Sequence, residues 1–216
     1  MIEITEQTLA SLRQTVKERI SPRRLAHTLA VEDAVTRLCA LYCPQEELPL
    51  RAAALLHDLT KELSLDGQIE LARTHGLALT EADIASPKTL HARTAAALIP
   101  KEFPHLAHPT VIGAVRWHTV GREDMTLTEQ LLYLADYIDE SRTFPSCVRL
   151  RRFFWEAHPE AMSSEKRLQH LRRTLLLSFR MTLGDLLREG ALVSPETVAA
   201  RNALLLLCPD DADPDA

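Results

Sequence analysis

An all-α fold is what the sequence predicts, on three observations. Apolar residues recur at three- and four-residue spacing along nearly the whole chain, convincing period-two alternation is absent, and helix-start devices stand between the apolar segments. The first segment places Leu9, Leu12, Val16 and Ile20 on one face. Ser21-Pro22 then supplies an N-cap and a first-turn proline, opening a second helix whose stripe is His27, Val31, Ala34, Leu38 and Leu41. A third helix is expected at about 50–59, where Leu50 to Leu56 is rich in alanine and leucine and suited to deep packing. Helices follow at about 67–75, 90–99 and 109–118. Thr126 with Glu129 fits a capping box for a helix at 127–141, and after a helix at 165–189, Ser194-Pro195 opens the last one at 195–207. Arg149-Leu150-Arg151-Arg152 beside Phe153, Phe154 and Trp155 reads as a helix with solvated arginines and buried aromatics rather than as an RNA-contacting surface.

The chain of 216 residues is 46% hydrophobic and 25% charged, enough apolar material for one domain over residues 1–208. Residues 209–216 form an acidic, proline-broken tail expected to be disordered. A formal net charge of -5 points away from duplex nucleic acid. The N-terminus shows no basic segment leading into an apolar core, and the longest apolar run, Ala203 to Cys208, is too short to span a bilayer, so a cytoplasmic location without membrane contact is expected. Cys39, Cys43, Cys147 and Cys208 lack paired CxxC spacing and are expected as free thiols that serve packing. His105 and His108 are expected on a solvated, proline-rich loop.

The chemistry lies in histidines that turn inward. His57-Asp58 ends the alanine-rich helix, and His27 occupies the centre of its apolar stripe. His91 shares a face with Ala95, Leu98 and Ile99, while His118 shares one with Val111, Ala114 and Val115. Asp136 sits within Leu131 to Ile138, where no exposed face is close by. A buried carboxylate needs a cation, either a metal or an arginine. Arg142 is read as too far along the same helix to pair with Asp136, leaving Arg23, Arg24 or Arg116 as the arginine candidates.

Four imidazoles and two carboxylates suffice for two metals if Asp58 bridges them, and such ligands suit iron, manganese or zinc. A paired-metal site acidifies a bound water and stabilises attacking and departing oxygens at phosphorus, so hydrolysis of a phosphate ester or anhydride follows as the reaction class. Lys61, one helical turn beyond His57, and the turn Thr119-Val120-Gly121-Arg122 are candidates to meet phosphate, with Asp139 and Arg142 expected on the rim.

The order His, His-Asp, His, His, Asp resembles the HD-domain superfamily of metal-dependent phosphohydrolases. More narrowly, Ser21-Pro22-Arg23-Arg24, Leu55 to Glu62, Leu90-His91-Ala92, Trp117 to Leu127, Tyr133 to Ile138 and Thr197 to Ala203 are similar to the YqeK-like branch, the symmetrical bis(5'-nucleosyl)-tetraphosphatases. The resemblance implies an HD-type helical bundle with the C-terminal helices packed on it. It implies two iron ions, with His27, His57, Asp58 and Asp136 around one and Asp58, His91 and His118 around the other. It also implies cleavage of diadenosine tetraphosphate between the central phosphates. The mechanism expected from the residues themselves has Asp58, Lys61 and Arg122 in catalysis, with Lys61, Arg122 and Arg142 as the cationic candidates. The chain departs from the branch at Ala95-Ala96 (usually Gly-Ala), Gln130 (usually lysine) and Asp139-Glu140 (usually Glu-Pro). Two other readings stand beside this one: a phosphohydrolase of another nucleotide or phosphate ester, and a nucleotide-sensing module without turnover. The expected partner is a small-molecule nucleotide, and a homodimer is compatible with the sequence.

Overall fold

A computed structural model describes residues 4–208, which form eleven α-helices and no strand among them. They are α1 (Glu6–Arg19), α2 (Pro22–Tyr42), α3 (Glu47–Leu56), α4 (Leu65–Thr74), α5 (Glu81–Ala85), α6 (Pro87–Glu102), α7 (Pro109–Trp117), α8 (Leu127–Ile138), α9 (Pro145–Trp155), α10 (Ser164–Glu189) and α11 (Pro195–Leu207). The acidic segment 209–216 lies outside the described residues.

The start signals work as their chemistry requires. Ser21 Oγ accepts from Arg24 N at 3.2 Å with Pro22 in the first turn of α2, and Thr126 and Glu129 close a reciprocal capping box at α8. Two boundaries differ from expectation in ways that matter below. α3 stops at Leu56, so His57-Asp58 lies in the turn after the helix. α8 stops at Ile138, because Asp139 adopts extended backbone (φ -60°, ψ 151°) and the chain reverses. The short α5 and the start of α9 were not anticipated; five residues give too little periodicity, and α9 carries four polar residues in its eleven.

α3 is the hub. Ala52, Ala53 and Ala54 are all fully buried, and their small side chains let α1, α2 and α7 approach from several sides. α2 packs on α3 and α8, α6 on α7, and α10 on α9 and α11. Buried apolar side chains form one connected cluster running from Ile4 to Cys208. Each fully enclosed leucine, such as Leu38, Leu50 or Leu98, adds about 1.5 to 3 kcal/mol.

The C-terminal helices join through Phe179 of α10, which stacks on Tyr133 of α8 at 4.5 Å. Thr197 of α11 donates to Val120 O at 2.9 Å. All four cysteines are buried thiols, none of them in a disulfide. No helix among the described residues is long and apolar enough to cross a membrane. His105 is exposed, whereas His108 plays a structural part, because its Nδ1 accepts from Thr110 N at 3.3 Å and caps α7.

Candidate metal centre

Five segments bring six side chains to one place: α2 carries His27, the turn after α3 carries His57-Asp58, α6 carries His91, the C-cap of α7 is His118, and α8 carries Asp136. His57, His91 and His118 are fully enclosed, and His27, Asp58 and Asp136 are each below a tenth exposed. The turn bearing Asp58 is locked to α6, since Thr60 Oγ1 donates to His91 O at 2.9 Å and lies 2.8 Å from Thr94 Oγ1.

Asp58 divides the imidazoles into two groups. Its Oδ1 lies 3.1 Å from His91 Nε2 and 3.8 Å from His118 Nε2, while its Oδ2 lies 3.5 Å from His57 Nε2 and 3.7 Å from His27 Nε2. Asp136 Oδ1 belongs to the second group, at 3.0 Å from His27 Nε2 and 3.7 Å from His57 Nε2. The ligand atoms of His27, His57 and Asp136 lie within 4.8 Å of one another, as do those of His57, Asp58 and His118.

The ring nitrogens are set for ligation. His57 Nδ1 lies 2.6 Å from Ala54 O, and His118 Nδ1 lies 2.7 Å from Val115 O. A carbonyl only accepts, so each Nδ1 holds the proton and each Nε2 turns its lone pair toward the carboxylates. Burial pushes His57 and His91 down to about 4, which keeps both neutral near pH 7. His27 behaves oppositely. Burial disfavours its charge, but hydrogen bonding to Asp136 and Asp139 outweighs that and holds it at about 9. Burial also disfavours both carboxylate charges, yet His57 beside Asp58 and Arg142 beside Asp136 keep the two acids well below the usual carboxylate range.

A cation fits this arrangement. His57 Nε2 is buried without a hydrogen-bond partner, two ionised carboxylates stand among imidazoles, and the ligand groups contain nitrogen and oxygen but no thiol.

The HD domain model matches residues 24–141, more than half of the chain and a span that holds all six side chains. The chain belongs to the HD-domain family. This HD-domain chain is 29% identical over 195 residues to the symmetrical bis(5'-nucleosyl)-tetraphosphatase of Halalkalibacterium halodurans, covering 89% of this chain and 95% of that protein. It is 26% identical over 190 residues to the Bacillus subtilis protein of the same name, covering 88% and 94% respectively. The Staphylococcus aureus protein of that name is 30% identical over 139 residues, 64% of this chain and 70% of its own length. Among solved structures, a Clostridium acetobutylicum protein described as a predicted HD superfamily hydrolase involved in NAD metabolism superposes with a TM-score of 0.78 at 28% identity, covering 92% of this chain and 97% of that one. The HD-domain fold is thus a hydrolase fold with a His/Asp cluster able to hold metal.

Around the HD cluster, the cations and turns expected at the rim sit in different settings. Lys61 Nζ lies 3.2 Å from both ring nitrogens of His91 and donates to Lys88 O at 3.2 Å; burial pulls its pKa below the usual lysine value. Arg142, read from the sequence as out of reach, pairs directly with Asp136: its Nη2 lies 2.5 Å from Oδ1, and its Nε donates to the Asp136 carbonyl. The early end of α8 makes this contact, because the reversed chain carries Arg142 back over the helix terminus.

Asp139, expected on the rim, is 1% exposed, with Oδ2 3.4 Å from His27 Nδ1 and Oδ1 accepting from Ser141 N at 2.9 Å. It sits beside a histidine instead of facing solvent, and Ser141 Oγ, 3.2 Å from His27 Nδ1, donates to Asp139 Oδ1 and links the two. Arg122 is committed elsewhere: Nε and Nη2 donate to Glu129 at 3.0 and 3.2 Å, and Nη1 donates to Asp124 at 2.6 Å.

Gly121 has φ +67°, and a Cβ there would stand 2.6 Å from the Phe179 ring, so this glycine serves the packing of α10. Thr119 is half-buried, with Oγ1 enclosed and without a hydrogen-bond partner.

The contacts of two arginines have no counterpart in the sequence pattern. Arg151, expected to be solvated, donates to the carbonyls of Ile138 (2.8 Å), Asp139 and Arg142 (2.8 Å), and so clamps the reversal after α8. Phe154 beside it is fully buried, as expected, whereas Phe153 is 40% exposed. Arg24 Nη1 lies 2.5 Å from Asp58 Oδ2. Backbone-carbonyl and cross-fold partners of this kind have no signature in residue spacing.

Proposed function

We propose that this HD-domain protein hydrolyses diadenosine tetraphosphate and related dinucleoside polyphosphates at the central anhydride, giving two nucleoside diphosphates. The observation that carries the proposal is the division of Asp58, with one oxygen toward His91 and His118 and the other toward His27 and His57. A carboxylate placed in this way suits a bridge between two cations. The similarity to three proteins named as symmetrical tetraphosphatases supports the choice of substrate.

His27, His57, Asp58 and Asp136 would hold one metal, and Asp58, His91 and His118 the other. Iron is the metal that the family resemblance implies, and manganese and zinc suit the same donors. When bound, the pair supplies Lewis-acid polarisation of phosphate oxygens and an acidified water. In the balanced reaction the water oxygen joins one central phosphorus, the bond from that phosphorus to the central bridging oxygen breaks, and the two water protons pass to the diphosphates and solvent.

The protein's own part is positional and electrostatic. The Nδ1–H contacts to Ala54 and Val115 fix His57 and His118, Asp139 orients His27, and the enclosed walls exclude bulk water. Lys61 and Arg142 place positive charge beside the carboxylates, where a tetraphosphate brings negative charge. Arg122, with its charge met by Glu129 and Asp124, has no part in this proposal.

Nucleotide analysis after incubation of metal-loaded protein with diadenosine tetraphosphate tests the proposal. ADP as the sole nucleotide product is expected. AMP with ATP, or no cleavage where NAD or a phosphate monoester is hydrolysed, would assign the site to a different phosphohydrolase reaction. NAD is the specific competitor, because the structural relative is described as involved in NAD metabolism.

A further inference from the structure

The surface formed by α9 and α10, away from the metal centre, carries charge of one sign. Residues 145–155 and 166–184 hold eight lysines and arginines and no aspartate or glutamate, in a chain whose formal net charge is -5. Two of the eight serve the fold: Arg151 donates to the carbonyls after α8, and Arg167 donates to Leu41 O and Met162 O. Arg149, Arg152, Lys166 and Arg173 are exposed.

Packing gathers this charge. The rings of Phe153 and Phe154 stack on His170 of α10 with centroids 5.5 and 5.3 Å away, and His170 Nε2 donates to Phe154 O at 2.9 Å. Arg149 stands one turn before Phe153, and Arg173 one turn after His170, so both arginines lie within a helical turn of the α9–α10 contact.

The chain leaves α11 beside the same face. Gln169, the residue before His170, donates from Nε2 to Cys208 Sγ at 3.4 Å. The eight residues that follow Cys208 contain four aspartates, Asp210, Asp211, Asp213 and Asp215, and no cation. An extended chain spans about 3.3 Å per residue, so Asp210 to Asp213 can reach roughly 7 to 17 Å from Cys208. Arg173 is about 6 Å along α10 from Gln169, well inside that reach.

We propose that the acidic segment 209–216 docks on the α9–α10 face, its aspartates paired with Arg149 and Arg173. An exposed ion pair contributes little by itself, but a tether this short raises the effective concentration of the aspartates to roughly the millimolar range or above. The segment is thus the first occupant of a face whose arginines and 40% exposed Phe153 would otherwise suit a single-stranded polyanion. Because the contact rests on charge, salt releases it.

The test measures backbone 15N order parameters at Asp210, Asp211 and Asp213 in the full chain, in R149Q/R173Q and in D210N/D211N/D213N/D215N. The Asn variant alters no residue of the connected buried cluster, so it decides the matter even if the arginine pair is needed for folding. At low ionic strength the expected values are above roughly 0.6 in wild type and below it in both variants. Wild type should also fall below that level at about 1 M salt, where the Debye length is about 3 Å. Values below roughly 0.6 in wild type at low salt would overturn the proposal. Binding of a single-stranded oligothymidylate to that protein, lost in R149Q/R173Q, would then assign the face to an external polyanion. An ordered segment that stays ordered in a folded R149Q/R173Q would equally overturn it, because the contact would lie elsewhere.

Discussion

Asp58 Oδ1 stands 3.1 Å from His91 Nε2, on the side of the carboxylate opposite the oxygen that faces His57 and His27. Asp58→Asn keeps the shape but replaces one anionic oxygen with an NH2 group that cannot ligate. Metal content is expected to fall by at least one ion per chain and hydrolysis by roughly a hundredfold or more, with the helical circular dichroism unchanged. Full activity in this variant would remove Asp58 from the reaction.

Metal uptake should release a proton. In the metal-free protein His27 is held at about 9, so it is protonated near pH 7, whereas His57 and His91 at about 4 are already neutral. A ligating imidazole must be neutral, so the proton on His27 competes with metal and apparent affinity rises with pH until about 9, then levels off. Calorimetric titrations at pH 7 in two buffers of different ionisation enthalpy should show about one proton released from His27. Buffer-independent heat would contradict the assignment.

Asp139→Asn tests the orientation of His27. Its Oδ2 lies 3.4 Å from Nδ1, and an amide there loses the charge that holds the imidazole. Metal affinity is expected to drop about 10- to 100-fold, with KM for the nucleotide little changed once metal is saturating. A rise in KM alone would return Asp139 to the substrate rim.

Arg122→Gln should behave as a stability variant. The guanidinium is spent on Glu129, which is 4% exposed, and on Asp124. The expected outcome is a loss of about 1 to 3 kcal/mol in denaturant unfolding with KM unchanged. A tenfold rise in KM at unchanged stability would restore Arg122 to phosphate binding.

Gly121→Ala combines a left-handed backbone with a Cβ 2.6 Å from the Phe179 ring. Destabilisation of about 2 to 4 kcal/mol is expected from the two effects, read from the denaturation midpoint. Adding Phe179→Leu should recover part of the loss, and strictly additive effects would show that the two residues do not clash.

Much of this centre was legible in the sequence because its ligands ride on apolar stripes. His27, His91 and His118 each share a face with residues that are themselves buried, and Asp136 lies in a helix with no open side, so periodicity alone brought them inward. What escaped were the contacts made where periodicity stops. α8 ends at Ile138 through the backbone of Asp139 and the Arg151 clamp on three carbonyls, and only that reversal lets Arg142 reach Asp136. Helical extrapolation to residue 141 therefore placed Arg142 out of reach.

Gly121 illustrates a second limit. A glycine one residue before Arg122 suggests a phosphate turn, and residue spacing carries no sign of the Phe179 ring that packs against it, 58 positions away in the sequence.

The bridging role of Asp58 is read most directly from metal per chain in protein purified without oxygen or chelator, determined by elemental analysis on wild type and Asp58→Asn side by side. Two ions are expected in wild type and at most one in the variant. One ion or none in wild type, or two in both proteins, would contradict a centre bridged by Asp58.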